Sequence, residues 1–247
     1  GKIFDEYKGR FNSKETIDGI NIIRYWLYAS ISTKRIPRII SMLSFSVTSL
    51  LSVFSLKKFN ADFLFVESPP LTLGFSAYLL TIFSRTKMIM NVSDIWPLTA
   101  KELGVIGEGF LYNQIEKLEK FLYRKSFLCT GQSEEIITHI SKTAGDKVYL
   151  FRNGVEVNRF KSPLPREKAE GNIKIVYAGL IGVAQGIPDI ARNINFTELG
   201  AEFHIYGEGG ERNILENFLK ENPGRNIFLH KSVKRDEIPG LLSEFYC

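Results

Sequence analysis

Short apolar runs alternate with helical stretches along most of the chain, and this alternation constrains the fold more than any other feature of the sequence. Four runs in the first part have the composition of strands, at residues 62–68, 87–94, 126–133 and 147–154. Helices are predicted between them, at residues 71–83, 112–124 and 134–143. Strands that alternate with helices form a parallel sheet with crossover helices. Because the runs are apolar nearly throughout, we expect both faces of these strands to be covered.

The alternation stops at a polar segment and then restarts. Residues 156–172 contain Pro163, Pro165 and Gly171 among charged residues, a composition typical of a linker. Beyond it, strands are predicted at residues 173–180, 202–206 and 226–230, with helices near 188–193 and 212–221.

This pattern predicts an α/β protein with two Rossmann-like domains. The first covers residues 1–160, the second covers residues 173–247, and a linker at 161–172 joins them. Open parallel sheets bind ligands at the carboxyl ends of their strands. We therefore expect the two sheets to face a cleft that is lined by strand-end loops.

Composition narrows the class of protein. With 44% apolar and 24% charged residues, the chain is typical of a soluble globular protein. Its two cysteines, Cys129 and Cys247, provide neither a disulfide framework nor a metal cluster, which favours the cytoplasm. Residues 1–166 carry 23 Lys and Arg against 15 acidic residues, a balance of +8, whereas residues 167–247 carry 9 against 12. The first part should attract an anionic partner, and nucleic acid, phospholipid headgroups and a diphosphate lipid all stay open.

Both ends of the sequence suggest a longer protein. Gly1 is not an initiator residue, and the sequence stops inside an apolar helical pattern at 241–247. We expect the first strand of the first domain and the last part of the second domain to be missing.

One segment is apolar enough to raise the question of a membrane span. Residues 39–56 contain no charged side chain and are flanked by cations on both sides. However, hydroxyl side chains recur in this segment at steps of three and four residues: Ser41, Ser44, Thr48, Ser52 and Ser55. This stripe favours a buried or amphipathic helix over a membrane span. A variant of the amphipathic interpretation places the helix on the bilayer surface, with its flanking cations on lipid phosphates.

Two glycine-rich loops follow predicted strands of the second domain. The first has glycines at 179, 182 and 186, and the second has them at 207, 209 and 210. Glycine lets backbone N–H groups approach phosphate oxygens, although a plain strand-to-helix turn stays open as the alternative. Neither a Walker-type GKS or GKT motif nor an Asp-x-Asp pair is present in the sequence. A phosphate site without a metal is therefore predicted.

Carboxylates stand at two strand ends of the first domain. Asp94 is either a general base or hydrogen-bond acceptor for a substrate hydroxyl, or the cap of the next helix. Glu67 has the same two interpretations. The histidines at 139, 204 and 230 are scattered and are predicted to be structural.

Six motifs occur in one order along the chain. They are VESPPL (66–71), NVSDIWP (91–97), EKLEKFLYR (116–124), GQSE (131–134), RNGVEVNRF (152–160) and AGLIGVAQG (178–186). This series resembles the retaining glycosyltransferases of family 4, which have the GT-B fold. It resembles in particular the branch that builds bacterial O-antigen, capsule and colanic-acid-like polysaccharides.

The resemblance implies that the second domain binds a nucleotide-sugar donor, that the first binds an acceptor, and that transfer retains the anomeric configuration. By position, the residues implied to contact the donor diphosphate and sugar are Gly179, Gly182, Gln185 and Gly186. Those implied to lie near the nucleoside are Gly207, Glu208 and Val233. Asp94 would lie on the acceptor side, and Asn153 and Gly154 would line the hinge.

The resemblance also implies the partners. The acceptor would be a saccharide on polyprenyl diphosphate, on the cytoplasmic side of an anionic inner membrane, with no nucleic acid, metal or further cofactor. Leu180 and Gln185 stand where many family members carry Arg and Lys. A non-catalytic nucleotide-sugar-binding module therefore stays open, as does a nucleotide-sugar epimerase of similar architecture. We expect the sequence by itself, without the missing parts, to be inactive.

Overall fold

The computed structural model describes residues 3–30, 35–160 and 171–246. By its internal contacts the chain divides into two compact units, Gly1–Asn153 and Gly154–Cys247. The domain bounds predicted from the sequence stay a prediction, and residues 161–170 of the predicted linker lie outside the described residues.

The first unit begins with a hairpin and continues as an α/β sheet. Its strands are β1 (Asn12–Ile17), β2 (Ile20–Tyr25), β3 (Phe63–Ser68), β4 (Lys87–Val92), β5 (Leu128–Gly131) and β6 (Val148–Leu150). Its helices are α1 (Arg35–Ser49), α2 (Val53–Phe59), α3 (Leu71–Ser84), α4 (Leu98–Glu102), α5 (Phe110–Lys125) and α6 (Glu134–Ala144).

The strands β3, β4, β5 and β6 lie side by side in that order and are all parallel, which confirms the predicted sheet. Helix α3 packs against α5, and α5 packs against α6. The core between these helices and the sheet is built around Met90, Leu122 and Ile140. The prediction that both strand faces are covered is wrong for β3, because Phe63 and Phe65 are exposed on the face opposite this helix layer.

The hairpin of β1 and β2 is a feature that the sequence analysis did not predict. The two strands pair antiparallel across Asp18 and Gly19, whose φ angles are 51° and 79°. Positive φ at both central residues is the geometry of the tight hairpin turn that Asp-Gly favours.

The predicted helix at residues 39–56 is longer in the structure. Residues Ile36–Phe59 form 24 residues of helix, whose most apolar 18-residue window has a mean hydropathy of 1.9, so the helix is long and apolar enough to cross a membrane. A single 3₁₀ turn, Leu50–Ser52, joins α1 to α2. Only 11% of the most apolar window is buried, so the interpretation as a buried helix is wrong.

The second unit is a smaller α/β layer. Its elements are β7 (Ile173–Ala178), α7 (Ile187–Asn193), β8 (Ala201–Tyr206), α8 (Arg212–Glu221), β9 (Ile227–His230) and α9 (Ile238–Ser243). The strands β7, β8 and β9 are parallel neighbours in that order, as predicted. Ile181, Ile205 and Leu215 are fully buried in its core. The loops after the three strands therefore meet at one edge of the sheet.

Candidate functional site

The two glycine loops of the second unit are joined by backbone hydrogen bonds. The N–H of Gly179 donates to the carbonyl oxygen of Tyr206 at 2.9 Å, and that of Ile181 donates to Glu208 at 2.9 Å. The N–H of Glu211 then donates back to Ile181 at 3.0 Å. The ladder of the sheet thus continues beyond the ends of β7 and β8, and the two loops form one surface.

Glycine is required at two positions of the second loop by the closeness of the first. A Cβ on Gly207 would lie 1.9 Å from the carbonyl oxygen of Gly179, and one on Gly209 would lie 2.1 Å from that of Ile181. Both distances are far below van der Waals contact. The glycines of this loop are therefore explained at least in part by loop packing, which is the alternative to phosphate binding that the sequence left open.

Arg212 links the second glycine loop to the third strand, and the sequence analysis did not identify it. Its guanidinium Nη1 donates to the carbonyl oxygens of Gly207 and of His230, the latter at 2.8 Å, and its Nε donates to Glu216 at 2.9 Å. Glu208 lies 3.6 Å from the same Nε. A cation in the first turn of a helix opposes the helix dipole. An arginine at the start of the predicted helix was the signal that pointed to a specific role.

The structure brings the predicted donor residues to the same edge of the sheet. Gly179, Gly182, Gln185 and Gly186 belong to the loop after β7, and Gly207 and Glu208 belong to the loop after β8. Val233 is half-buried in the segment after β9. No lysine or arginine occurs among residues 179–186, where Leu180 is 62% exposed. The contact of these residues with a donor stays a prediction.

A chain of polar side chains crosses the strand ends of the first unit. The carboxylate of Glu67, at the end of β3, accepts hydrogen bonds from the Asn91 amide at 2.8 Å and from the Ser93 hydroxyl. Asn91 is buried at the end of β4. Glu67 is thus fixed by the neighbouring strand.

The chain continues past β5 and β6. The Thr130 hydroxyl donates to the Asn91 side-chain oxygen at 2.6 Å, and the Gln132 amide donates to the Ser93 hydroxyl at 2.7 Å. The Asn153 amide then donates to the Gln132 oxygen at 2.9 Å. Asn153, predicted to line the hinge, therefore belongs to a network that begins at β3.

Asp94 lies beside this network and is exposed to solvent. It follows Ser93 directly, in the loop between β4 and α4. The residue at the cap position of α4 is Pro97, so the interpretation of Asp94 as a helix cap is wrong. Its role as a general base or hydrogen-bond acceptor stays a prediction.

Each histidine has a structural contact within its own unit. His139 on α6 lies 2.9 Å from a carboxylate oxygen of the buried Glu119 on α5. The Tyr123 hydroxyl donates to the same oxygen at 2.9 Å. Burial and the neighbouring carboxylate raise the pKa of Tyr123. This cluster joins two helices.

The other two histidines stack on the sheet of the second unit. The ring nitrogens Nδ1 of His204 and Nε2 of His230 lie 3.1 Å apart, and the ring of Tyr206 stacks on His230 at 4.2 Å. Burial and the neighbouring His204 lower the pKa of His230. A hydrogen bond from His204 lowers the pKa of Glu202. Within the described residues, no group of three or more His, Cys, Asp or Glu side chains is arranged to hold a metal ion.

The sequence was compared with protein-family models and with curated proteins. No protein-family model matches the sequence. The chain is 22% identical over 236 residues to the colanic acid biosynthesis glycosyl transferase WcaI of Escherichia coli K12. That match covers 90% of this chain, and the chain spans 58% of the length of this curated relative.

Two solved structures are similar to the chain as folds. Sucrose-phosphate synthase from Thermosynechococcus elongatus superposes with a TM-score of 0.70 at 12% identity, over 96% of this chain and 60% of its own. HepE of Anabaena, solved in complex with UDP, superposes with a TM-score of 0.54 at 12% identity, over 80% of this chain and 56% of HepE. The chain therefore has the α/β fold of GT-B glycosyltransferases, as the sequence predicted.

Proposed function

We propose that the chain is the larger part of a retaining glycosyltransferase of family 4. It transfers a sugar from a nucleotide diphosphate to a lipid-linked saccharide during synthesis of a bacterial surface polysaccharide. The observation that carries the proposal is the pair of joined glycine loops at the carboxyl edge of β7 and β8. The likeness to a colanic acid biosynthesis enzyme and to a fold that holds UDP in HepE supports the same class.

In this proposal the second unit binds the donor. The loop of Gly179, Gly182, Gln185 and Gly186 contacts the diphosphate and sugar, while the nucleoside lies near Gly207, Glu208 and Val233. Backbone N–H groups fixed before the reaction stabilise the charge that develops on the leaving diphosphate. Arg212 acts indirectly, since its guanidinium donates to the carbonyl oxygens of Gly207, in the second glycine loop, and of His230, at the end of β9.

The first unit binds the acceptor. Asp94 accepts a hydrogen bond from the attacking hydroxyl or removes its proton, and it is exposed for that purpose. The polar network from Glu67 to Asn153 fixes the loop on which Asp94 lies, because Ser93 is bonded to both Glu67 and Gln132. The acceptor is a saccharide on polyprenyl diphosphate, and the enzyme is peripherally bound to the cytoplasmic face of the inner membrane.

Transfer in this proposal needs no metal or other cofactor, and nucleic acid is not a partner. The basis is that the sequence contains no Asp-x-Asp pair to hold a metal-bound diphosphate. Sugar transfer by the intact protein should therefore survive EDTA. Complete loss on chelation, with recovery on added Mg²⁺, would refute this part.

The decisive experiment combines donor binding with transfer. Thermal shift of the intact protein with UDP, GDP and their sugar conjugates identifies the donor, because a ligand of the folded state raises its melting temperature. Transfer is then measured for Asp94→Asn and for the control Asp62→Asn, an exposed aspartate before β3. We expect kcat to fall by a factor of about 10² or more in the first variant, with donor binding unchanged, and not in the control. Equal kcat in both variants would remove Asp94 from the mechanism.

A non-catalytic nucleotide-sugar-binding module is the second candidate. It is favoured by Leu180, an exposed apolar residue in the proposed diphosphate loop. A nucleotide that stabilises the intact protein, with neither transfer nor donor hydrolysis under any acceptor condition, would support this candidate over the transferase.

A further inference from the structure

The helix Ile36–Phe59 turns its polar side toward the protein. Ser46 and Thr48 are buried. The Ser46 hydroxyl donates to the Thr72 hydroxyl of α3 at 2.9 Å, and the Ser76 hydroxyl donates to the Ser46 carbonyl oxygen at 2.7 Å. The Thr48 hydroxyl donates to the carbonyl oxygen of Trp26 at 2.8 Å. The hydroxyl stripe found in the sequence is therefore used for packing within the unit.

The opposite side of the same helix is exposed, and between Ile39 and Phe54 every exposed side chain is apolar. Its exposed residues recur at helical spacing along one face: Ile36, Ile39, Ile40, Leu43, Val47, Leu51 and Phe54. Val47 is 65% exposed and Phe54 is 73% exposed. An ordinary surface helix buries its apolar side and presents its polar side to water. This helix instead presents an apolar row to water, so the row is suited to an apolar partner.

Charge at the two ends of the row indicates the partner. Arg38 near the start and Lys57 and Lys58 near the end are exposed, and residues 36–59 contain no acidic side chain. An apolar row with cations at both ends fits an anionic bilayer, in which phosphates lie above an acyl boundary. A second copy seated face to face would bring cations against cations in either orientation.

We infer that the apolar row of Ile36–Phe59 lies in the interface of an anionic lipid bilayer, parallel to its plane. The inference deepens the proposed function and rests on it for the location of a lipid-linked acceptor. The helix does not cross the bilayer, because Ser46 and Thr48 keep their bonds to α3 and to Trp26. The apolar side chains enter the acyl boundary, and Arg38, Lys57 and Lys58 contact lipid phosphates.

Vesicle co-sedimentation of the intact protein tests this surface. The vesicles contain phosphatidylcholine with or without phosphatidylglycerol. Val47→Glu and Phe54→Glu, combined, should lower partitioning by about tenfold or more, since each removes an apolar side chain from the acyl boundary. The matched control is Leu199→Glu in the second unit, whose parent side chain is also 65% exposed. It should partition like the parent protein.

The cations are tested on the same vesicles. Lys57→Gln and Lys58→Gln should each lower partitioning onto anionic vesicles by about fivefold and leave partitioning onto neutral vesicles unchanged. Circular dichroism establishes that every variant is folded. A parent protein that does not bind anionic vesicles would overturn the inference, as would variants of Val47 and Phe54 that bind like the parent. A dimer that these two substitutions convert to monomer, with vesicle binding unchanged, would assign the row to a second copy.

The hypothesis that the apolar row binds a membrane can be refuted separately from the hypothesis that the protein is a transferase. Transfer to a water-soluble acceptor analogue, measured without vesicles, should be equal in the parent and in the Val47→Glu, Phe54→Glu protein. Vesicle binding that depends on the row, without transfer to any acceptor, would refute the transferase and support the docking surface. Transfer without vesicle binding would support the transferase and refute the docking surface.

Discussion

The carbonyl oxygen of Gly179 occupies the space that a Cβ on Gly207 would need, since the two would lie 1.9 Å apart. The neighbouring backbone atoms are held by the bond from the Gly179 N–H to Tyr206. A Cβ on Gly207 would therefore clash with main-chain atoms, which cannot rotate away as a side chain could. The two glycine loops are consequently coupled in their positions.

Gly207→Ala should lower the free energy of unfolding by about 1–3 kcal/mol, because the added methyl forces the loops after β7 and β8 apart. Thermal unfolding measures the change. Gly224→Ala is the control, because a Cβ at Gly224 meets nothing within 4 Å. Its melting temperature should stay level or rise slightly. Equal melting of Gly207→Ala and the parent protein would contradict the coupling of the loops.

The sequence predicted the sheets well and the contacts across them poorly. The strands were recognisable because each is a short apolar run between turn residues. The network from Glu67 to Asn153 was not, since Asn91 and Glu67 are 24 residues apart and meet only through the register of β3 and β4. The hairpin of β1 and β2 was missed although Asp18 and Gly19 carried its turn signal.

The orientation of the helix Ile36–Phe59 could not be predicted from the sequence. Its periodicity showed a hydroxyl stripe and an apolar stripe, and periodicity alone cannot say which stripe faces the protein. The usual preference for an apolar core gives the wrong answer here, because Ser46 and Thr48 are the buried side chains. Their hydroxyls find partners on Thr72 and Trp26, which only the tertiary structure supplies.

Arg212→Met should weaken nucleotide binding by about tenfold or more, because the carbonyl oxygens of Gly207 and His230 lose a shared charged donor. Titration calorimetry with the nucleoside diphosphate that stabilises the parent protein measures the loss. Arg225→Met is the control, since Arg225 also donates to a backbone carbonyl, that of Arg192 at 2.9 Å, away from the two loops. An equal loss of affinity in both variants would show that Arg212 has no specific effect on the loops.

Glu67→Leu should destabilise the first unit by about 1–3 kcal/mol, because the buried Asn91 amide loses its acceptor. Glu67→Gln retains a carbonyl oxygen and should cost less. Urea unfolding of the two variants side by side measures the difference. A leucine variant as stable as the glutamine variant would mean that the network contributes nothing to stability.

The lowered pKa of His230 predicts that the second unit loses stability as the pH falls. In the folded protein, burial and His204 disfavour the charged ring, whereas in the unfolded chain the ring takes up its proton near the ordinary value of about 6.5. Unfolding therefore binds a proton below about pH 6.5, with a slope of at most about 1.4 kcal/mol per pH unit, until the folded protein also titrates.

The measurement is the melting temperature at about one pH unit above and one below 6.5. His230→Phe keeps an aromatic ring against Tyr206 and removes the titration, so its melting temperature should vary less over this interval. Glu202, whose pKa is lowered through His204, loses its contribution to stability only at more acidic pH. It therefore does not affect the comparison of melting temperatures between the parent protein and His230→Phe. If the parent protein and His230→Phe had the same pH dependence, the proton taken up on unfolding would belong to another group.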